Sequence, residues 1–146
     1  MTNKLDIYSI INYGRNYVGC SSSDNESLFF LDLDSLKVYD RETLMRDYHF
    51  TNDILCDEMK LVHNYRFAPM FRVNIIENMR FFLNDLNNHR ISKEITALNS
   101  EQLYIYFQKY IELNIGDRHR WHEQEKQCLT AAAVDWCKRY HIPYVL

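Results

Sequence analysis

The chain has 146 residues, 47% of them hydrophobic, which fits one folded domain and speaks against a disordered chain. Only 3 Gly and 2 Pro leave few of the turns that a many-stranded sheet needs, so helices are favoured. The net charge of −3 joins 6 Lys/Arg against 11 Asp/Glu in residues 1–64 to 11 against 9 in residues 65–146, and neither half carries the basic field of a nucleic-acid binder.

The spacing of apolar residues then predicts the elements. Leu5, Tyr8, Ile10, Ile11 and Tyr13 read as one stripe of a short helix ended by Gly14. Residues 20–26 form a polar loop. Residues 28–33 read as a strand, Asp34-Ser35-Leu36 as its turn and residues 37–39 as the return strand. Residues 41–64 show no clean period. From Pro69 onward helices dominate, the first marked by the stripe Val73, Ile76, Met79, Phe82, Leu83 and Leu86. Ile91, Ile95 and Leu98 mark the second. Asn99 with Gln102 three residues on reads as a capping box for a third, which stops before Gly116. Asp117 is expected to cap the last helix, residues 118–140, with Trp121, Cys128, Leu129, Ala132, Ala133, Trp136 and Tyr140 on one face. Pro143 bars its continuation. The expected fold is α+β and mainly α-helical: a short N-terminal helix and β-hairpin followed by a C-terminal bundle of about four helices. It is read as a single domain, residues 1–146, with residues 1–64 its acidic α/β part and 65–146 its helical part.

The cysteines Cys20, Cys56, Cys128 and Cys137 are scattered without a Cys-x-x-Cys pair. The opening Met-Thr-Asn-Lys-Leu-Asp lacks an apolar signal core, and no apolar run approaches the ~20 residues of a membrane span. The expectation is a cytoplasmic protein with free thiols, away from membranes.

Several of these residues carry a resemblance. Met79 and Phe82, Arg90-Ile91, Tyr104-x-x-Phe107-Gln108, Trp121 with Leu129 eight residues on, and Ala133-Val134-Asp135-Trp136-Cys137 share a spacing with one family. From Pro69 to Ile142 the chain resembles the uncharacterised protein family numbered 0158, a set of small bacterial proteins. The run Phe29-Phe30-Leu31-Asp32-Leu33 with Val38 looks like that family's N-terminal segment. The chain departs from the pattern at Ser100-Glu101-Gln102, where the family has Gly-Arg-Gly. It departs again at Ile105 and Tyr106, where the family has basic residues, and at His141, where it has a glycine. The resemblance implies a fold, and it brings no established activity with it.

No cofactor motif is present, and three isolated glycines supply no phosphate loop. His119, His122 and Glu123 are the best metal candidates, because a helix places them at i, i+3 and i+4. Arg118 and Arg120 beside them oppose a cation, and ordinary capping chemistry accounts for Glu123 and Glu125. Cys128 and Cys137 fall on or beside the apolar stripe, where cysteine acts as a small hydrophobe, and Cys20 has only Arg15 nearby to activate it. Asp32, Asp34 and Asp40 lack the spacing of a calcium loop, and Asp34 is read as the start of a turn. Basic residues of the last helix, among them Lys126, are interrupted by Glu123, Glu125 and Asp135, a mixed pattern typical of a solvated face. The chain is therefore read as a non-enzymatic binding module for a protein partner, with Arg118, Arg120, Trp121, His122, Lys138 and Arg139 as candidate contacts. The alternatives are a nucleic-acid-binding accessory factor using the basic side of that helix, with an exposed Trp121 to stack on bases, and a metal-dependent enzyme.

Overall fold

The computed structural model describes residues 3–17 and 27–146, so Cys20 and the polar loop around it lie outside the described residues. The fold is α+β and mainly helical. In sequence it runs β1 (Leu5–Asp6), α1 (Ile7–Ile10) with a 3-10 turn (Ile11–Gly14), β2 (Arg15–Asn16), β3 (Phe29–Asp32) and β4 (Val38–Asp40). Then follow α2 (Arg41–Asp47), α3 (Asn52–Cys56), α4 (Glu58–Tyr65), β5 (Phe67–Pro69) and β6 (Val73–Asn74). The helices α5 (Ile75–Asn84), α6 (His89–Ile95), α7 (Ser100–Leu113) and α8 (Ile115–Arg139) come next, and β7 (Tyr144–Val145) is last.

Each helix from α1 to α7 starts at a side chain that accepts a backbone N–H which the first turn would otherwise leave unpaired. Asp6, Asp40, Thr51, Asp57, Asn74, Asn88 and Asn99 are these caps. At α7 the expected reciprocal box is complete: Asn99 accepts from Gln102 N–H, and the Gln102 amide oxygen accepts from Asn99 N–H. Helix α8 differs from expectation. It begins at Ile115, directly after Asn114 ends α7, so Gly116 and Asp117 lie in its first turn instead of stopping one helix and capping the next. The Arg118 N–H already donates to the Asn114 carbonyl, 3.0 Å away, which leaves Asp117 no capping task.

Contacts divide the chain into two compact units. The described part of the first comprises residues 3–14, 27–72 and 130–146; that of the second comprises 15–17 and 73–129. In the first unit β3 is the centre of an antiparallel sheet of order β4-β3-β5, with Phe30 opposite Tyr39 and Leu31 opposite Ala68. The hairpin is as expected; the third strand, β5, and the helices α2 to α4 in residues 41–65 are additions. Phe30, Leu44, Leu55, Leu61 and Phe67 form the core there, covered by Tyr39, Phe50 and Ile54. In the N-terminal segment Leu5, Ile7, Ile10 and Ile11 point inward, while Tyr8 and Tyr13 are exposed. Helix α1 lasts one turn before tightening, and that shifts the buried set away from the expected stripe. Gly14 is required by close approach: a Cβ there would lie 2.1 Å from the Phe71 ring. The Trp136 indole donates to the Pro69 carbonyl at 2.8 Å and packs on Phe71.

The second unit holds the expected C-terminal bundle, in which α5 packs on α6 and α7. Met79, Phe82, Leu83, Ile91, Ile95, Leu103 and Phe107 are buried. The Arg80 guanidinium donates to the carbonyl of Ile95, the last residue of α6, and to that of Leu98 in the following turn, at 2.8 and 2.9 Å. Strand β2 lies parallel to β6, Arg15 opposite Val73.

Candidate functional site

The candidate residues of α8 fall into two groups. Arg118, Arg120, Trp121 and His122 belong to the second unit, Lys138 and Arg139 to the first. Trp121 is 4% exposed and cannot stack on a nucleic-acid base or meet a partner. Its ring lies edge-on to Phe82 and Phe107, at centroid distances of 5.5 and 4.7 Å, so the sequence-based reading of Trp121 as a contact residue is corrected to core. Arg118 is committed to the fold. Its Nε donates to the Ile111 carbonyl at 3.3 Å and its Nη2 to the Glu112 carbonyl at 3.2 Å, closing the last turn of α7. Arg120 lies over the Phe82 ring at 5.3 Å and 3.5 Å from Asp117 Oδ1. Arg139 donates to Glu58 Oε1 at 2.9 Å, beside the Tyr140 hydroxyl, which also donates to that oxygen. His122 and Lys138 are exposed.

The metal candidates are not assembled. Among the described residues no three His, Cys, Asp or Glu side chains are grouped to hold an ion, and His119, His122 and Glu123 are exposed along the helix. The hairpin aspartates are structural. Asp32, rather than Asp34, makes the turn by accepting the N–H groups of Asp34 and Ser35, at 2.9 and 3.3 Å. Cys128 is exposed and not part of the buried face, its Sγ 3.4 Å from the Asn78 amide nitrogen. Cys137 is buried, and burial pushes its thiol up to about 11, away from nucleophilic chemistry near neutral pH.

Two of the larger concave features of the second unit remain. One is a cavity of about 490 Å3 whose polar lining includes Arg15, Gln108, His122 and Glu125. Glu125 sits on the buried stripe of α8 between Trp121 and Leu129 and is 6% exposed. Arg15 compensates it, its Nε at 3.1 Å and Nη2 at 2.5 Å both donating to Oε1. Tyr17 lines the same cavity, and burial, with the Glu125 carboxylate adding to it, pushes its phenol above the ordinary value despite Arg15. A sequence reading that treated Glu125 as a solvated first-turn charge misses this pair. The clue was its period, four residues from both Trp121 and Leu129.

The other is a groove of about 430 Å3 between α6 and α7, with Ile91 in its floor and Tyr106, Tyr110 and Leu113 along α7. Its charged lining residues are Arg90 and Lys109. The nearby carboxylates are engaged: Glu94 accepts the Tyr106 hydroxyl at 2.7 Å and Asp117 the Tyr110 hydroxyl at 2.5 Å. Burial, helped by these carboxylates, pushes both phenols up to about 12. Leu113 is 82% exposed at the rim and Ile115 is 75% exposed just beyond it. A larger, shallow depression of about 770 Å3 on the first unit, lined by Leu28, Phe29 and Met45, mixes Asp40 and Glu42 with Arg41 and Arg46 and so favours no sign of charge.

No helix of the described residues is long and apolar enough to cross a membrane. No family model matches the chain, and no curated protein or solved structure matches it.

Proposed function

We propose that this chain is a cytoplasmic, non-enzymatic binding module, and that its partner is a protein presenting an acidic, amphipathic segment to the groove between α6 and α7. The observation that carries the reading is Leu113, a large aliphatic side chain almost wholly in water at the rim of that groove. Full burial of a leucine favours association by roughly 1.5–3 kcal/mol. Tyrosines along the wall supply the aromatic surface that interfaces concentrate. Lys109 supplies positive charge with no carboxylate in the lining to answer it, beside Arg90, which Glu94 meets at 3.8 Å, and this selects an acidic complement. An amphipathic helix laid into a groove is a common way of meeting such a surface.

The test is affinity capture from cell extract with the wild-type chain and with Leu113→Asp, Lys109→Glu and Met59→Asp. Leu113 and Lys109 belong to the groove, whereas Met59 is an exposed residue of the first unit. A partner retained by the wild type and by Met59→Asp, and lost with both groove variants, supports the reading. Recovery of no specific partner counts against it, as does equal loss with all three variants. The basic groups of α8 favour nucleic acid less, because Arg118, Arg120 and Arg139 are already engaged within the chain. A salt-sensitive mobility shift with the wild type would reverse that preference.

A further inference from the structure

The main chain bordering the α6–α7 groove is already committed, and that limits what the groove can take. At the start of α6 the N–H groups of Arg90 and Ile91 both donate to the Asn88 side chain, at 3.1 and 3.3 Å. At the end of α7 the Tyr110 carbonyl accepts from the Asn114 side chain at 2.8 Å, and the Ile111 and Glu112 carbonyls accept from Arg118. Between these ends both walls are helices, whose main-chain groups pair internally. The groove therefore offers no ladder to an extended chain, and an occupant lying in it has to satisfy its own backbone. A helix does so. The α7 wall is Tyr106, Lys109, Tyr110 and Leu113, at i, i+3, i+4 and i+7. That stripe covers two turns, about 11 Å of helix. Lys109 stands in its middle, one turn from Leu113 at the rim. Glu94 and Asp117 take the two tyrosine hydroxyls, which hold the rings as an apolar wall.

We infer that the groove is a receptor for a short linear motif, about two turns of an acidic helix that folds as it binds. Its apolar side chains, at i, i+4 and i+7, lie against Ile91 and Leu113, and a carboxylate beside its middle turn meets Lys109. The inference rests on the function proposed above and narrows it, from a protein with such a segment to a segment that suffices by itself. Every lining residue belongs to α6, to α7 or to their caps Asn88 and Asn114, so no other part of the chain is needed to form the site. Lys109 sets the charge preference, because Arg90 already shares Glu94. A helix of two turns is marginal in water, and ordering it on the protein costs affinity, which places binding in the micromolar range.

The experiment is fluorescence anisotropy of the full chain with labelled synthetic peptides of about 12 residues. One set carries leucines at i, i+4 and i+7 in an alanine-rich background, with varied placements of flanking glutamates. Three further sets alternate the leucines at i, i+2 and i+4, place proline at the centre, or replace the glutamates by lysines. The first set should yield saturable binding with a dissociation constant of micromolar order, and each of the other three should bind at least about tenfold more weakly. Leu113→Asp should lose the binding. Lys109→Glu, at an exposed position, should remove the preference for glutamate over lysine peptides. Silence of the whole first set up to about 1 mM overturns the inference. Equal binding of the alternating, proline or lysine peptides overturns it as well, as does binding that survives Leu113→Asp or a charge preference unchanged in Lys109→Glu. Capture of a folded partner through the groove residues, with every peptide silent, overturns this inference and leaves the proposed function standing.

Discussion

Glu125 occupies a position on α8 that periodicity assigns to an apolar side chain, and its burial is tolerated because Arg15 meets its carboxylate from 110 positions away. Removing one member of such a pair strands the other, and that penalty usually exceeds what the pair contributes over an apolar substitute. The Arg15 side chain keeps 34% exposure, so water softens the penalty. We expect Glu125→Ala to destabilise the chain by about 1–3 kcal/mol, and Arg15→Met with Glu125→Leu to recover most of that loss. Chemical denaturation of the wild type and the variants checks this; a double variant no more stable than the single one would show that the pair itself stabilises. The partner of Glu125 was not legible in the sequence, because nothing in local spacing ties residue 15 to residue 125. The two tryptophans of α8 were legible as fixtures of the fold and Trp136 as core, yet that Trp121 is core as well followed only from what surrounds it. Phe82 and Phe107 enclose Trp121, and Phe71 with the Pro69 carbonyl holds Trp136.

Caps explain both the elements that sequence reading found and those it missed. Helix α7 was readable because its box is reciprocal and its stripe long. Helices α2, α3 and α4 last 7, 5 and 8 residues, too short for a period to repeat, so only Asp40, Thr51 and Asp57 marked them. The end of α8 offers a test. His141 adopts φ 57°. Ile142 N–H donates to Cys137 O at 2.9 Å and His141 N–H to Lys138 O at 3.4 Å, which is the Schellman arrangement. A histidine there meets the Cβ clash that glycine avoids, so His141→Gly should stabilise by about 0.5–1 kcal/mol. At the other end, Gly116 lies within the first turn of α8 with open space around the position of a Cβ. Gly116→Ala should stabilise by a similar amount, about 0.5–1 kcal/mol, through helix propensity. Denaturant midpoints measure both, and a loss of stability in Gly116→Ala would mean that this residue does not sit in a helix in solution.

Both compact units hold tyrosines whose neutral form the fold favours. Burial, then a hydrogen bond to a carboxylate, pushes Tyr106, Tyr110 and Tyr140 up to about 12, from an ordinary value near 10. A phenol raised on folding contributes its full stabilisation below its unfolded value and loses it as pH climbs towards the folded one. Stability should therefore hold up to about pH 10 and fall between about pH 10 and 12. The near-ultraviolet tyrosinate signal should show a late-titrating class that Tyr106→Phe and Tyr110→Phe each reduce. Titration of every tyrosine together near pH 10 would count against these hydrogen bonds.

Composition and local pattern were enough for the helical bias, the hairpin, the α7 box and the approximate run of α5 to α8, because propensity, capping and amphipathic spacing act within a few residues. They could not place β5 beside β3, divide α8 between two cores or bring Arg15 to Glu125. Those outcomes rest on contacts between residues far apart in the chain, where the burial of apolar surface and the pairing of charge are worth more than any local preference.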